Sequence, residues 1–264
     1  MQGIEVTYKG HFGSDLEHVN AARVSFGRES DWQWIPNPNK ITRDMVKSLK
    51  DSDKRLLQFL ARGITSDDWE TFLHELEHCD AESISNVLWQ WRDIAEHRSP
   101  FNHSFISLHV KAPIFVARQL VKHEYMPWNE MSGRYIEFKE DSFFKPEEFR
   151  SKVRDKKQGS GDPIEGDMKL VLETIFDTNS KQAFYDYQNA LSAGLCEEQA
   201  RGLLPLNLLT EWRWSGTFGA WAKVLRHRLA SDAQKETQYV AKLCGDIIKP
   251  LFPVSYDSLV ERKF

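Results

Sequence analysis

The residue types that could carry chemistry are concentrated at residues 122–135, in the stretch KHEYMPWNEMSGRY. Pro127 takes the chain out of a predicted helix and into a polar loop, because proline cannot continue the hydrogen bonding of a helix. In that loop Gly133 permits close backbone approach, Ser132 offers a hydroxyl group, and Arg134 presents a planar guanidinium to a phosphate. The loop is therefore a candidate site for a small anion. A turn with solvated charges is the alternative interpretation, since Ser-Gly-Arg is a common turn composition.

Further polar groups are expected beside this loop. Glu130 can accept a hydrogen bond from a ligand hydroxyl or imide. The helix before the loop presents Gln119, Lys122 and His123 on neighbouring turns. An amide, a cation and an imidazole thus accompany the candidate anion site.

A second motif, HELEH at residues 74–78, satisfies the HExxH pattern. In that pattern two histidines one helical turn apart bind zinc and the glutamate acts as the base. Glu96 and His97 both remain open as a third ligand. A zinc hydrolase is one hypothesis, and the favoured alternative is the solvated face of an acidic helix, because so short a motif specifies little.

Elements of both types must position these residues. Alternating polarity predicts strands over residues 4–8 and 103–110, and helical spacing predicts a helix that begins at Pro113. One long helix is predicted from about Thr217 to Pro250. Shorter helices are predicted over residues 56–64, 168–176 and 184–204.

Length and composition favour one ordinary globular domain. The 264 residues, of which 41% are hydrophobic, can bury a full core without disulfides or metals. We predict a single catalytic domain over residues 1–264. Within it, the acidic, Trp-rich residues at about 67–94 are predicted to form a helical insertion, and those at about 155–167 a flexible loop.

Charge and hydropathy limit the function classes. A formal net charge of −4 argues against a general nucleic-acid binder. No apolar run approaches the roughly 18 residues that span a membrane, and no secretion signal is evident, so we expect a soluble cytoplasmic protein without a membrane partner. The motifs GxxxxGK[ST], GxGxxG and GxSxG are missing, which excludes nucleotide binding by those routes. Three cysteines without a CxxC pair indicate no disulfide framework.

The polar stretch resembles the RHRxxSxNExSxRY signature of the flavin-dependent thymidylate synthases (ThyX). Further blocks look like those of the family and stand in the expected order: AARVSFG, HRSPFNH, APIFVARQ, EEQARGLLP, TEWRWSGTF and RLASDAQKE. The resemblance covers most of the chain except the regions around 67–94 and 155–167. The signature positions that match are His123, Asn129, Glu130, Ser132, Arg134 and Tyr135.

The resemblance implies a mixed α/β fold in which an antiparallel sheet is flanked by helices. It also implies a homotetramer with active sites shared between subunits. The implied reaction is reductive methylation of dUMP to dTMP at carbon 5 of the uracil ring. Methylene-tetrahydrofolate would donate the carbon, FAD would carry the redox equivalents, and NADPH would be the reductant. The family uses no protein nucleophile, which agrees with the surroundings of the three cysteines, none of which suggests an activated thiolate.

Residue roles are implied position by position. Arg228 matches the catalytic arginine that favours the ionised imide of the uracil ring. No metal ligand is implied. The positions that match dUMP contacts are Gln119, Lys122, Glu130, Met131, Ser132, Gly133, Arg134, Arg201 and Arg228. The positions that match FAD contacts are Ser99, Lys122, His123, Glu124, Asn129, Glu130, Thr217 and Lys223. Without the resemblance, Arg201 is a charge at a helix end and Arg228 belongs to a basic helix face.

The sequence departs from the family pattern around the expected flavin site. Glu124 stands where an arginine usually meets the FAD phosphates, so it opposes binding by like charge unless it turns away or a cation compensates. Lys122 and Lys223 are the candidate cations. The other departures are Lys122 for Arg, Pro127 for Ser, Asn102 for Glu, and Thr217, Gly219 and Lys223 for Asn, Arg and Asn. They motivate two alternatives: a relative that modifies carbon 5 of another pyrimidine nucleotide, for example by hydroxymethylation, and a nucleotide binder that has lost flavin chemistry.

Overall fold

The computed structural model describes residues 1–38, 44–62, 66–92, 97–153 and 159–262. A four-stranded sheet has the order β1-β4-β6-β5, and β2 and β3 form a separate antiparallel pair. Short strand β5 pairs antiparallel with β6, which places Trp128 opposite Trp214 and Glu130 opposite Trp212. The strands are β1 (Glu5–Phe12), β2 (Gln33–Pro36), β3 (Met45–Ser48), β4 (Phe105–Pro113), β5 (Trp128–Glu130) and β6 (Leu209–Thr217).

Helices account for much of the rest of the described chain. They are α1 (Asp15–Arg23), α2 (Asp51–Arg62), α3 (Ser66–His78), α4 (Ile84–Arg92), α5 (Ile114–Leu120), α6 (Asp167–Ser192), α7 (Glu197–Ala200), α8 (Phe218–Arg228), α9 (Lys235–Ile248) and α10 (Pro253–Leu259). Short 3-10 helices occur at Val24–Phe26, Ser99–Asn102 and Arg201–Leu203. Within the described residues, no helix combines the length and apolar character needed to cross a membrane.

The predicted class, an antiparallel sheet flanked by helices, is confirmed. Strand β4 and helix α5 meet at Pro113, as the sequence predicts. Helices α3 and α4 occupy the region around 67–94, although its status as an insertion stays a prediction. The first part of the predicted loop at 155–167 lies outside the described residues, as do the last two residues of the helix predicted over 56–64.

The chain divides into two compact units, each assembled from three segments. The first consists of Met1–Gly10, Ile106–Gly216 and Val224–Ile247. The second consists of His11–Phe105, Thr217–Lys223 and Ile248–Phe264. A single catalytic domain over residues 1–264 stays a prediction.

The core of the first unit is built on one face of the sheet. Ile106, Leu108 and Val110 of β4 are fully buried, and they alternate along the strand with partly exposed polar residues. Trp212 of β6 is also buried and stacks on Trp128, with ring centroids 4.4 Å apart. Because successive side chains of a strand point to opposite faces, this alternation leaves the other face polar.

The single long helix predicted from Thr217 to Pro250 is wrong, because the chain breaks it at residues 229–234, between α8 and α9. The side-chain amide of Gln238 donates to the carbonyl oxygens of Ala230, Ser231 and Ala233, at 2.9, 3.3 and 2.7 Å. These carbonyl groups thereby obtain the partners that a continuous helix would have supplied from its backbone. Helical periodicity does not reveal such a break, since the apolar spacing resumes in α9.

A neutral histidine lies in the core of the second unit. His18 is fully buried, and its ring nitrogens lie 2.8 Å from the hydroxyl oxygens of Ser255 and Ser104. Its ring stacks on Phe252, with centroids 5.3 Å apart. Burial, with a smaller contribution from the charge of His103, lowers the pKa of His18 to about 3. The folded protein therefore keeps this imidazole uncharged at neutral pH.

We expect His18 to make the protein acid-sensitive. The unfolded chain protonates His18 below its ordinary pKa of about 6.5, whereas the folded chain does so only near pH 3. The contribution of this group to stability is complete above pH 6.5 and is lost as the pH falls toward 3. Between pH 8 and pH 5 the free energy of unfolding should fall by about 2 kcal/mol on this account. Urea unfolding at several pH values gives the slope of the free energy of unfolding against pH. Compared with the wild type, this slope should be shallower for His18→Gln and unchanged for the control His97→Gln. Equal slopes in the wild type and both variants would contradict the assignment.

Candidate active site

Arg228, the last residue of α8, is held on two sides by the segment around α5. Its Nε donates a hydrogen bond to His123 Nε2 at 2.9 Å, and its Nη2 donates to the carbonyl oxygen of Gln119 at 3.2 Å. The side chain is partly buried, and this burial lowers the pKa of Arg228. A guanidinium has five N–H donors, so these two bonds leave others for a ligand.

The hydrogen bond from Arg228 also defines the protonation state of His123. An arginine side chain only donates, so the Nε2 atom that faces it must accept. The imidazole therefore carries its proton on Nδ1 and is neutral in this arrangement. His123 is partly buried and serves here to orient the catalytic candidate.

A cleft of about 760 Å³ opens beside Arg228. Its volume lies in the range typical of small-molecule sites. Two further segments contribute to its walls: the broken stretch between α8 and α9, and part of the chain between β5 and α6. The residues that line it include Gln119, Arg150, Ser160, Arg228, Gln234 and Lys235.

Sequence reasoning missed Arg150 and Gln234 as parts of this cleft. Gln234 lies in the RLASDAQKE block, which looks like a block of the family, and that block is the one signal that could have found it. Arg150 lies in an irregular segment with no motif around it. Its place in the cleft follows only from the tertiary structure.

The predicted anion loop brings two arginines near one glycine. Gly133 is buried, and a Cβ atom built on it would lie 2.7 Å from Phe138 Cε2 and 3.3 Å from Arg201 Cδ. The Ser132 hydroxyl oxygen accepts a hydrogen bond from the backbone N–H of Arg134 at 3.4 Å. A hydroxyl, the exposed residue Arg134 and the side-chain stem of exposed Arg201 therefore lie near a position that has no room for a Cβ atom.

Residues 129–131, at the end of β5 and just after it, contact residues of β6. Glu130 accepts hydrogen bonds from Thr210 Oγ1 at 2.7 Å and from Trp128 Nε1 at 3.0 Å. Asn129 is exposed and pairs across the sheet with Arg213. Met131 Sδ accepts the backbone N–H of Glu211 at 3.1 Å. Ligand contacts of Asn129, Glu130 and Met131 stay predictions.

The predicted dUMP residues form two groups on the first unit. Gln119 and Arg228 line the cleft, whereas none of residues 130–134 lines it, and neither does Arg201, in the part of the chain that the structure describes. Lys122 and Glu124 are exposed in the turn after α5. In the same turn Tyr125 has a φ of 59°, a conformation that non-glycine residues adopt rarely.

The remaining predicted flavin residues belong to the second unit. Ser99 and Lys223 are exposed, and Thr217 precedes α8. Thr217 Oγ1 donates to Asn102 Oδ1 at 2.8 Å and accepts the backbone N–H of Ala220 at 3.2 Å, so it caps the helix. A Cβ atom at Gly219 would overlap Asn102 Oδ1. Three departures from the family pattern, at Asn102, Thr217 and Gly219, are therefore neighbours that fit one another.

The HELEH motif contributes to the packing of α3 on α4. Glu75 Oε2 accepts a hydrogen bond from Trp91 Nε1 at 2.6 Å, and the rings of His74 and His78 stack with centroids 4.1 Å apart. Among the residues that the structure describes, no three His, Cys, Asp or Glu side chains gather as metal ligands. Glu96, one candidate third ligand, lies outside the described residues. The zinc hydrolase hypothesis gains no support.

Comparison with known proteins identifies the class to which this fold and site belong. The model of the family described as "Thymidylate synthase complementing protein" (Thy1) matches residues 10–254. The chain therefore belongs to this family, which confirms the resemblance to the flavin-dependent thymidylate synthases.

Individual relatives agree with this membership. The flavin-dependent thymidylate synthase of Kosmotoga olearia is 34% identical over 248 residues, which cover 94% of this chain and 86% of that protein. An enzyme of the same name from Thermus thermophilus is 37% identical over 167 residues, or 63% of this chain. That match spans 60% of the length of the Thermus protein.

A solved structure has the same fold. The UMP/dUMP methylase PolB from Streptomyces cacaoi, bound with 5-Br dUMP, matches with a TM-score of 0.70 and 23% sequence identity. The match covers 98% of this chain and 95% of that one.

Gly133→Ala should damage the anion loop. The added methyl group would press on Phe138 and on the stem of Arg201, and overpacking of this kind costs about 1–3 kcal/mol. We expect lower stability in urea unfolding and weaker binding of inorganic phosphate, as a probe of the candidate anion site, in calorimetry. Gly202→Ala is the matched control, because a Cβ at Gly202 meets nothing within 4 Å. If the two variants behaved alike, the close packing at Gly133 would have no role in binding.

Proposed function

We propose that this protein is a flavin-dependent thymidylate synthase that methylates dUMP at carbon 5 to form dTMP. The proposal includes FAD as the bound cofactor, methylene-tetrahydrofolate as the carbon donor, NADPH as the reductant and a cytoplasmic location. Family membership supports the reaction class. The observation that carries the proposal is Arg228, a partly buried guanidinium at the wall of a cleft of about 760 Å³.

Burial gives Arg228 its chemical role. The lowered pKa of Arg228 means that its charged form has lost part of its hydration. An anion placed against the guanidinium replaces the lost hydration and is stabilised in return. The uracil ring becomes such an anion when its imide loses the N3 proton, and the negative charge then spreads over the ring toward carbon 5. Arg228 thereby increases the electron density at the carbon that receives the methyl group.

The other residues of the cleft keep this guanidinium in place. His123 and the carbonyl oxygen of Gln119 hold it before substrate arrives, so little reorganisation is needed during the reaction. The side-chain amide of Gln119 also lines the cleft and can contact the edge of the pyrimidine. In the proposal, Lys122 adds positive charge near this end of the nucleotide.

The second group of residues suits the phosphate of dUMP. Ser132, Gly133, Arg134 and Arg201 offer a hydroxyl, a close backbone approach and two guanidinium groups to a dianion. None of these residues lines the cleft of Arg228 within the described chain. We therefore propose that the complete site combines the two groups from different copies of the chain, in a homotetramer with shared active sites.

The residues proposed for FAD fit the chemistry of a dinucleotide. In the first unit, exposed Lys122 can neutralise phosphate charge; in the second unit, exposed Lys223 can do the same and the Ser99 hydroxyl can donate to a phosphate oxygen. Glu124 is exposed, so water and salt screen its repulsion. In the proposal, His123, Asn129 and Glu130 of the first unit and Thr217 of the second are each further contacts of FAD. Bound FAD would supply the reducing equivalents that turn the transferred methylene group into a methyl group.

No cysteine is needed as a nucleophile. Cys244 is fully buried, and burial raises the pKa of its thiol, which keeps it protonated. Neither Cys79 nor Cys196 is among the described residues that line the cleft. This agrees with a reaction in which activation of the uracil ring does not depend on thiolate attack.

Flavin binding is the first test. The purified protein, with FAD added if it is colourless, should show flavin absorbance bands, and anaerobic titration with dUMP should perturb them because both ligands share one site. Chelators should have no effect on activity. A protein that takes up no flavin, with or without dUMP, would rule out the redox mechanism.

Arg228→Ala should reduce the rate of dTMP formation by about 10²–10³-fold, which is the usual effect of removing one preorganised donor at a developing charge. The melting temperature should stay close to that of the wild type. Arg118→Ala is the control, because Arg118 is an exposed arginine of α5 that is not among the described cleft residues. Near-normal turnover by Arg228→Ala would refute the role of Arg228. The mass of the product separates methylation from hydroxymethylation and from modification of another pyrimidine nucleotide.

A further inference from the structure

A line of hydrogen bonds connects a buried ion pair to the amide of Gln119. Glu236, at the start of α9, is 3% exposed. Its Oε1 accepts from Arg150 Nη2 at 2.5 Å, and its Oε2 accepts from Gln234 Nε2 at 2.8 Å. Both oxygens of this carboxylate therefore have donors, one from an arginine and one from an amide.

The line continues from Gln234 into the cleft. Gln234 Oε1 accepts a hydrogen bond from Gln119 Nε2. Gln119 Oε1 in turn accepts from Thr237 Oγ1 at 3.2 Å. All of these residues belong to the first unit, and both glutamines line the cleft beside Arg228.

The carboxylate determines the direction of every bond in this line. A glutamine amide can turn over by 180° and exchange its donor for its acceptor, so a pair of glutamines alone has two arrangements. A carboxylate paired with a guanidinium can only accept. Glu236 therefore requires the NH₂ group of Gln234, which leaves the oxygen of Gln234 for Gln119. Gln119 must then present its own NH₂ group to Gln234 and its oxygen to Thr237.

We infer that Glu236 is a positioning residue for substrate selection: through Gln234 it holds the amide of Gln119 in one orientation, and this orientation favours uracil over cytosine. The inference rests on the proposed function. At the reading edge, neutral uracil, the form that binds before its imide loses the N3 proton, presents the N3 hydrogen as a donor and O4 as an acceptor, whereas cytosine presents N3 as an acceptor and its amino group as a donor. Turning the Gln119 amide over exchanges the same two roles, so a freely turning amide would accommodate either ring.

Selectivity should fall rather than vanish when the line is broken. Arg228 carries donors only, so it disfavours the amino group of cytosine independently of Gln119. Each base edge that is read by a fixed polar group is discriminated by a limited factor, commonly about 10-fold or more. An amide that turns over would lose this part of the selectivity alone.

The test compares dissociation constants for dUMP and dCMP in the full chain with saturating FAD. Glu236→Gln keeps the size of the side chain but allows it to donate or accept, so both glutamines can turn over. We expect the ratio of the dCMP to the dUMP dissociation constant to fall about 10-fold. Glu236→Asp retains an acceptor-only group, and its ratio should stay near that of the wild type even if both affinities weaken. A merely structural role would weaken both nucleotides equally and leave the ratio unchanged.

Two further variants complete the test. Glu165→Gln removes an equivalent charge from an exposed site of the same unit, and its ratio should not change. Gln234→Leu breaks the line but leaves both members of the Arg150–Glu236 ion pair in place, so it decides the matter if Glu236→Gln does not fold, and its ratio should fall in the same way. A folded variant of either kind with the wild-type ratio would overturn the inference. A wild-type protein that binds neither nucleotide would instead contradict the proposed function, and this inference with it.

Discussion

The two hydrogen bonds of Arg228, to His123 and to the carbonyl oxygen of Gln119, determine the arrangement of the site in the first unit. They join the end of α8 to the end of α5, two helices that are about a hundred residues apart in the chain. A guanidinium that loses water on burial needs acceptors, and these two neutral acceptors satisfy it without cancelling its charge. The charge is thus preserved for a ligand, which a carboxylate partner would have prevented.

The break between α8 and α9 serves the same site. A continuous helix would distribute residues 229–235 around its surface, whereas the broken chain places residues 231–235 on the wall of the cleft. The amide of Gln238 satisfies the carbonyl groups at the break. Glu236, in the first turn of α9, accepts a hydrogen bond from the side-chain amide of Gln234. Breaks in a regular element of this kind are expected at functional sites, where a protein departs from local folding rules that it follows elsewhere.

Three residues of the second unit that depart from the family pattern, Asn102, Thr217 and Gly219, contact one another and form one group. Asn102 is smaller than the expected glutamate, and its amide occupies the space that a side chain at Gly219 would need. Thr217 contacts the same amide and caps α8. Because these three residues fit one another, a change at any one of them alone would disturb the other two. A joint replacement of all three residues is consistent with a candidate flavin site that has changed in detail and has not been dismantled.

The amino-acid sequence by itself determined the mixed α/β class, the junction of β4 and α5 at Pro113, and the polar loop around Gly133. These features depend on alternation, helical spacing and single-residue geometry, which are local and can be read from neighbouring residues. Tertiary structure alone decided which distant groups meet: Arg228 with His123, Arg150 with Glu236, and Trp91 with Glu75 of the HELEH motif. It also decided the break after α8. The side chain of Gln238 stabilises this break by donating to three backbone carbonyl groups, and the periodic spacing of apolar residues does not predict such contacts. Hydrogen bonds between distant residues leave no periodic trace in the chain, and for that reason the position of the polar loop around Gly133 could be predicted, whereas the hydrogen bonds that hold Gln119 could not.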